Sequence, residues 1–456
     1  MHFLISTLAE YQTVFWRDVG VMLRDRGHGV SFLSFDDRST AMLRGVDLEV
    51  FTIADESPST ETEGGLDEQF AAWGIQNVNF WLTHERFAFG LRDADAMQRK
   101  LATSLRMADR AIADIAARGR GTPLVVQELG GFLSVVGTFF ASQRRGVAHW
   151  FVEPSFFRGH LYYLRDTFAA KRVEPSDHID PAMDAYLRAT LESGSIVIPQ
   201  KDRHQYTSAR RKIVNMRNAK RLAQKMVDKY VLRKRQEFGH IGSHVSTHAK
   251  MLVNSRRLSG EYGELDTAKP FVYYPLHVPG DMALTLRSPT YLDQTALIDF
   301  ICRSVPLTHH VVIKEHPAMV GAFDARSLIA LKRRYDHLVV LRPTTNNYAV
   351  MREADAVVTV NSKSGAEAGL LGKQVVVLGD AFYRDAPFAV SVDRLQDLPS
   401  ALSDVLKPQA MRPAPDSAAA HRFFAGAWSS SYEGELYVAT PTNVDRFTSG
   451  MIEAVS

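Results

Sequence analysis

Three stretches of the sequence decide the fold: FVYYPLHVPGD at residues 271–281, HHVVIKEHP at 309–317, and ADAVVTVNSKSGAEAGLLGKQVVVLGDAFY at 354–383. Each contains a short apolar run rich in β-branched residues, which predicts a strand at 272–278, 310–314 and 356–360 respectively, and then turns polar. Such runs are typical of strands buried on both faces of a parallel sheet. Because ligands bind beyond the carboxyl ends of parallel strands, the polar residues after these runs are the first candidates for a functional site.

The first half of the chain shows the same alternation of apolar runs and helix-length segments. Strands are predicted there at residues 2–8, 30–35, 48–53, 123–126 and 148–152. This alternation indicates an α/β fold with parallel sheets and helices between the strands. The first turn lacks GxGxxG, so a dinucleotide-binding fingerprint is absent.

The chain is predicted to have four parts. Residues 1–180 form an N-terminal α/β domain, residues 181–265 a basic helical connector, and residues 266–405 a C-terminal α/β domain. Residues 406–456 are expected to be a helix-poor, aromatic-rich tail that packs back across the domains. The acidic, Ser/Thr-rich residues 54–68 are expected to form a loop.

Composition and charge limit the class of protein. The 456 residues are 45% hydrophobic and 23% charged, and the single cysteine cannot form an intrachain disulfide. Neither a signal peptide nor a membrane-spanning apolar run is apparent, so the chain is predicted to be cytoplasmic.

The positive charge is concentrated in one segment. Between Lys201 and Gly260 there are 16 Lys or Arg and 3 Asp or Glu, whereas the rest of the chain has 38 basic and 48 acidic residues. A basic segment at 201–257 could contact the inner membrane or an acidic substrate. The alternative is a solvated helical face. Binding to nucleic acid is disfavoured, because basic and aromatic residues do not alternate as in RNA-binding modules.

The motif KEHP follows the second apolar run. Lys314 and His316 can balance the charge of a phosphate, and Pro317 ends the strand so that the imidazole projects beyond it. The alternative is a strand terminator with ordinary surface charges.

The segment NSKSGAE lies between a predicted strand and a predicted helix. Ser362, Lys363, Ser364 and Gly365 leave backbone N–H groups at a helix N-terminus, which is a ready site for an anion. Glu367 on the first turn could accept hydrogen bonds from a sugar. The alternative is simple capping of the helix by Ser362 or Ser364.

The turn PGD ends the first stretch. Gly280 lets the backbone approach a ligand, and the carboxylate of Asp281 could act as a nucleophile or a base at an anomeric carbon. The alternative is a helix cap. No metal site is predicted: Asp93-Ala94-Asp95 lies in a predicted helix, and HExxH, paired CxxC and P-loop motifs are absent. GxSxG, the serine hydrolase motif, is also absent.

Several of these motifs occur together and in a fixed order. They are PLHVPGD at 275–281, SPTYLDQTALIDF at 288–300, VVIKEHP at 311–317 and VVTVNSKSGAEAGLLGKQVVVLGDAFY at 357–383, with weaker matches in QELGGF at 127–132 and HWFVEPSFFRGHLYY at 149–163. Together they resemble the retaining β-Kdo glycosyltransferases that build capsule and lipopolysaccharide in Gram-negative bacteria.

The resemblance implies a GT-B-like architecture, in which two Rossmann-like domains hold CMP-β-Kdo in the cleft between them. It implies that Asp281 forms a covalent glycosyl-enzyme intermediate and that Glu128 or Glu153 is the acid/base. The donor-binding set that it implies is His277, Lys314, His316, Pro317, Ser362, Lys363, Ser364, Gly365 and Glu367. A glycan or lipid-linked glycan would be the acceptor.

No metal or cofactor is expected, because CMP leaves as a monophosphate whose charge cationic side chains can balance. Two alternatives stay open. The donor could be CMP-sialic acid or a nucleoside diphosphate sugar, or the chain could be a GT-B-like assembly factor without turnover.

Overall fold

A computed structural model describes residues 1–56, 65–119, 121, 123–194, 216–408, 411 and 416–456. It contains two sheets with helices packed against them, which confirms the predicted α/β, GT-B-like fold class.

The first sheet has seven strands. They are β1 (His2–Thr7), β2 (Gly29–Ser34), β3 (Glu49–Thr52), β4 (Pro123–Glu128), β5 (His149–Pro154), β6 (His160–Arg165) and β13 (Tyr432–Glu433). Their order is β13-β6-β5-β4-β1-β2-β3. Strands β1 to β5 are parallel, and β6 and β13 pair antiparallel at one edge.

The second sheet has six strands, all parallel. They are β7 (Phe271–Pro275), β8 (His310–Lys314), β9 (Leu338–Leu341), β10 (Ala356–Thr359), β11 (Gln374–Val377) and β12 (Ala389–Ser391), in the order β12-β11-β10-β7-β8-β9. The strand predicted at 310–314 is confirmed. The strand predicted at 272–278 ends earlier, at Pro275. The chain leaves the sheet there because the backbone N–H of His277 donates a hydrogen bond to the side chain of Gln294 and not to a neighbouring strand.

Six helices pack around the first sheet: α1 (Glu10–Asp25), α2 (Asp37–Arg44), α3 (Gly65–Ala72), α4 (Val78–Phe89), α5 (Ala94–Ala117) and α6 (Leu133–Arg145). Asp93 is the N-cap of α5, and its side chain accepts a hydrogen bond from the backbone N–H of Ala96. The loop expected at 54–68 is partly wrong, since α3 begins at Gly65. Residues 57–64 lie outside the described part of the chain.

The connector contains α7 (Pro181–Ser193), α8 (Met216–Met226) and α9 (Ile241–Leu258), with residues 195–215 outside the described part. The second sheet is packed by α10 (Met282–Thr285), α11 (Gln294–Ser304), α12 (Ala325–Arg334), α13 (Asn347–Glu353), α14 (Lys363–Leu370) and α15 (Leu398–Val405).

The prediction of a helix-poor tail is wrong. The tail contains α16 (Ser417–Ser429) and α17 (Pro441–Val455), and both begin at residues that favour helix N-termini, Asp416 and Thr440. Three aromatic residues of the tail, Phe423, Phe424 and Phe447, are buried on these helices. Phe424 of α16 packs in the core around the second sheet, and Phe447 of α17 packs beside α1. The tail therefore contacts both halves of the molecule.

Candidate active site

A cavity of about 520 Å³ lies between the carboxyl ends of the two sheets. Its lining contains all but one of the residues predicted from the sequence: Glu128, Glu153, His277, Asp281, Lys314, His316, Pro317, Ser362, Lys363, Ser364 and Glu367. Gly365 is the exception. The first sheet contributes the two glutamates, and the second sheet and its loops contribute the rest.

Lys314 is a buried cation at the end of β8. Its side chain is 3% exposed, and no described residue lies within hydrogen-bonding or ion-pairing distance of its ammonium group. Burial lowers the pKa of Lys314 to about 8, although the nearby carboxylate of Glu367 acts in the opposite direction. A buried ammonium beside a cavity is suited to bind an anion that enters it.

His316 and Pro317 turn the chain at the same edge. The Nδ1 atom of His316 accepts the backbone N–H of Ala318 at 3.2 Å, and Pro317 begins a short 3₁₀ helix. Glu315 lies between Lys314 and His316 in the sequence and is buried. Its carboxylate accepts hydrogen bonds from the backbone N–H of Gly321 and from the hydroxyl of Tyr262. Burial raises the pKa of Glu315. Glu315 therefore fixes the turn from which His316 reaches the cavity.

His277 is neutral and has a defined tautomer. Burial, with a smaller effect of nearby His316, lowers the pKa of His277 to about 3. Its Nε2 atom accepts the backbone N–H of Asn361 at 3.2 Å, so the proton lies on Nδ1. Nδ1 is buried and has no hydrogen-bond partner among the described residues.

Asp281 both caps a helix and lines the cavity. Its carboxylate accepts the backbone N–H of Ala283 at 2.9 Å, at the start of α10, and its side chain is exposed. The preceding Gly280 lies so close to Ala88 of α4 that an added Cβ would be 3.1 Å from its Cα. The PGD turn is therefore held against the first domain.

The two candidate acid/base residues have different partners. Glu128, at the end of β4, accepts hydrogen bonds from the amide of Gln12 and the hydroxyl of Tyr437. Glu153 forms a bidentate ion pair with Arg287, with N–O distances of 2.7 and 2.8 Å. Burial alone would lower the pKa of Arg287, but the Glu153 carboxylate raises it. The sequence did not indicate these partners, because Tyr437 is 309 residues from Glu128 and Arg287 is 134 from Glu153.

Tyr437 has an unusual backbone. Its φ is 66°, in the left-handed region that a bulky residue rarely adopts. The tail thereby brings its hydroxyl onto Glu128, while its ring packs edge to face with that of Tyr11 at 5.7 Å. Residues with strained backbone conformations are common at functional sites, where they hold other side chains in place.

We expect Glu153→Gln to destabilise the protein by roughly 3 kcal/mol, because it removes the carboxylate that forms the bidentate ion pair with the buried guanidinium of Arg287. Chemical denaturation at constant pH measures the change. Glu433→Gln is the matched control, since Glu433 pairs with Arg446 on the surface and its loss should cost about 1 kcal/mol or less. Equal, small changes in both variants would contradict a stabilising role for the buried pair.

The segment 362–367 serves several structural purposes. Ser362 caps α14 by accepting the backbone N–H of Ser364. The ammonium of Lys363 donates to the carbonyls of Pro154 at 3.0 Å and Ser155 at 2.5 Å, so it links the two halves of the molecule. A Cβ on Gly365 would lie 2.4 Å from the hydroxyl of Tyr383, so this glycine allows close packing. Donor binding by these residues stays a prediction.

Two features are absent from the described residues. No helix there is long and apolar enough to cross a bilayer. No group of three or more His, Cys, Asp or Glu side chains there is arranged to hold a metal ion.

A family model described as capsule polysaccharide biosynthesis protein matches residues 136–388, which is more than half of the chain. The chain belongs to this family. The match includes β5, strands β7 to β11 of the second sheet, and every predicted site residue except Glu128.

Protein FixF of Sinorhizobium fredii (strain NBRC 101917 / NGR234) is 34% identical over 133 residues, which are 29% of this chain and 32% of FixF. The chain thus spans about a third of the length of that relative.

Among solved structures, the β-Kdo 2,7 transferase of Thermosulfurimonas dismutans KpsC is 15% identical with a TM-score of 0.36, covering 76% of this chain and 90% of that one. The β-Kdo 2,4 transferase of the same protein is 15% identical with a TM-score of 0.34, covering 72% and 86%. UDP-GlcNAc 2-epimerase of Methanocaldococcus jannaschii is 10% identical with a TM-score of 0.28, covering 92% and 98%. Similarities of this size carry no argument about activity.

Proposed function

We propose that the protein is a retaining glycosyltransferase that moves Kdo from CMP-β-Kdo to a glycan or lipid-linked glycan acceptor in capsule or lipopolysaccharide biosynthesis. One observation carries the proposal. An exposed carboxylate, Asp281, lines the same cavity as two further carboxylates, Glu128 and Glu153, and as the buried cation Lys314, which has no partner among the described residues. A nucleophile, an anion site and a candidate base are the parts that a double-displacement transfer requires.

In the first step, a carboxylate oxygen of Asp281 attacks the anomeric carbon of Kdo. The bond from that carbon to the phosphate oxygen breaks, and CMP leaves with the electron pair. Lys314 and His316 would bind the phosphate, and His277, which lines the same cavity, would contact the donor beside it. The positive charge also offsets repulsion between Asp281 and the carboxylate of Kdo, which lies beside the anomeric carbon.

In the second step, a hydroxyl of the acceptor attacks the anomeric carbon and displaces Asp281. A base takes the hydroxyl proton, and the two inversions together retain the β configuration. Glu128 and Glu153 both stay candidates for this base. They are separable by experiment, since a variant without the base would form the glycosyl-enzyme but would not pass Kdo to an acceptor.

Ser362, Ser364 and Glu367 would bind the nucleotide or the sugar carboxylate at the N-terminus of α14. Gly365 would contribute by letting α14 pack against Tyr383. Lys363 would act by closing the two halves around the donor, since its ammonium donates to Pro154 and Ser155. The reaction is proposed to need no metal and to take place in the cytoplasm.

Intact-mass spectrometry with a panel of donors tests the proposal. The purified chain is mixed without acceptor with CMP-Kdo, CMP-sialic acid, or a UDP- or GDP-sugar. We expect a mass increase of one Kdo residue with CMP-Kdo alone, and its absence in Asp281→Ala. Turnover of another donor would overturn the choice of Kdo, and the absence of any adduct or turnover would favour an assembly factor.

A further inference from the structure

The end of α8 and the turn after it expose an unusual amount of apolar surface. Thirteen large hydrophobic residues are exposed in the described part of the chain, and five of them lie within residues 226–232. They are Met226, Val227, Tyr230, Val231 and Leu232, with exposed fractions from 46% to 71%. We call residues 220–235 the connector patch. A cluster of exposed apolar side chains of this kind commonly marks an interaction site.

The patch is held in this orientation by contacts on its inner side. Asp228 lies among the exposed residues but is itself buried, and Arg38 of α2 binds its carboxylate at 2.8 and 3.0 Å. Further along, the backbone N–H of Arg235 donates to Asp37 at 2.8 Å and its guanidinium donates to the carbonyl of Ile53 at 2.7 Å. Because these bonds fasten one side of the turn to the first domain, the apolar side chains are held toward solvent.

The same surface carries only positive charge. Its exposed charged side chains are Lys220, Arg221, Lys229, Arg233 and Arg235. The two acidic residues of this part of the connector, Asp228 and Glu237, are buried and paired with Arg38 and Lys100. An outward face that combines apolar and basic side chains matches the interface of a bilayer that contains anionic lipids.

We propose that the connector patch docks the protein onto an anionic membrane surface. The side chains of Val227, Tyr230, Val231 and Leu232 would enter the boundary between headgroups and acyl chains. Lys220, Arg221 and Arg233 would lie against the lipid phosphates. Apolar insertion and charge attraction act together, and either alone gives weak, reversible binding. The proposal does not depend on the identity of the sugar donor.

Vesicle flotation with the full chain tests the docking. Phosphatidylcholine vesicles are compared with vesicles that also contain phosphatidylglycerol. We expect the protein to float with the anionic vesicles only, and raised salt to release it, because exposed charges are screened. The double variant Val231→Ser/Leu232→Ser should bind at least about tenfold more weakly, and Lys220→Gln/Arg233→Gln should bind more weakly and lose most of the salt dependence.

Leu307→Ser is the matched control, since Leu307 is fully exposed on the second domain and lies outside the patch. It should bind vesicles like the unchanged chain. Unchanged thermal unfolding of the patch variants shows that they are folded. The proposal is overturned if anionic vesicles do not bind the unchanged chain, or if the patch variants bind as well as it does. It is also overturned if the patch variants instead abolish a dimer seen by light scattering, which would make the patch a protein interface.

Discussion

Asp281→Asn should reduce transfer from CMP-Kdo by at least about 1,000-fold, which corresponds to roughly 4 kcal/mol of lost transition-state stabilisation. Asparagine has nearly the same shape and caps helices as well as aspartate does, so the bond to Ala283 and the start of α10 should persist. What disappears is the negatively charged oxygen that attacks the anomeric carbon. The glycosyl-enzyme adduct should therefore be absent, while affinity for CMP stays close to that of the unchanged chain.

The structure offers a closely matched control for this variant. Asp293 caps α11 by accepting the backbone N–H of Ala296 at 3.0 Å, and it does not line the cavity. Asp293→Asn makes the same chemical change in the same structural setting. Steady-state transfer and intact mass should be unaffected by it. If Asp281→Asn also kept normal transfer, Asp281 would be a helix cap and nothing more.

The sequence predicted best what depends on neighbouring residues. The run at 310–314 becomes β8 because three consecutive β-branched residues at its centre, Val311 to Ile313, precede the turn at Pro317. The position of Lys314 and His316 at the edge of the sheet follows from this, since the carboxyl ends of parallel strands meet at one edge. Local sequence patterns therefore predict which residues of the second sheet lie at the site.

What the sequence could not predict depends on distant parts of the chain. Arg287 is a lone basic residue in the sequence, and only the docking of α10 against the first domain brings it to Glu153. Tyr437 reaches Glu128 because the tail crosses back to the first sheet. The helices of the tail were missed for another reason. The high aromatic content of the tail obscures the helical spacing of buried positions such as Val444, Phe447 and Met451.

Lys314→Met should weaken the binding of CMP by about 10- to 100-fold, the usual loss when one charge-assisted hydrogen bond to a phosphate is removed. The same change should stabilise the protein without ligand. Because the folded-state pKa of Lys314 is about 8 and its ordinary value is 10.5, the folded chain carries a penalty for the buried charge below pH 8. That penalty is roughly 3 kcal/mol, and it decreases as pH rises from 8 to 10.5. A variant that gains stability while losing ligand affinity is the signature of a charge kept for binding.

The pH dependence of CMP affinity separates this role from a packing effect. Between pH 7 and about 9.5 the phosphate of CMP keeps its charge, so a change in affinity reports on the protein. Calorimetric titration of the unchanged chain should show affinity falling as pH rises above 8, because the ammonium of Lys314 loses its proton. Lys314→Met should lack that fall, whereas Lys250→Met, on the exposed face of α9, should retain it. If the unchanged chain binds CMP equally well at both ends of this range, Lys314 does not hold the phosphate, and the anion site must lie elsewhere in the cavity.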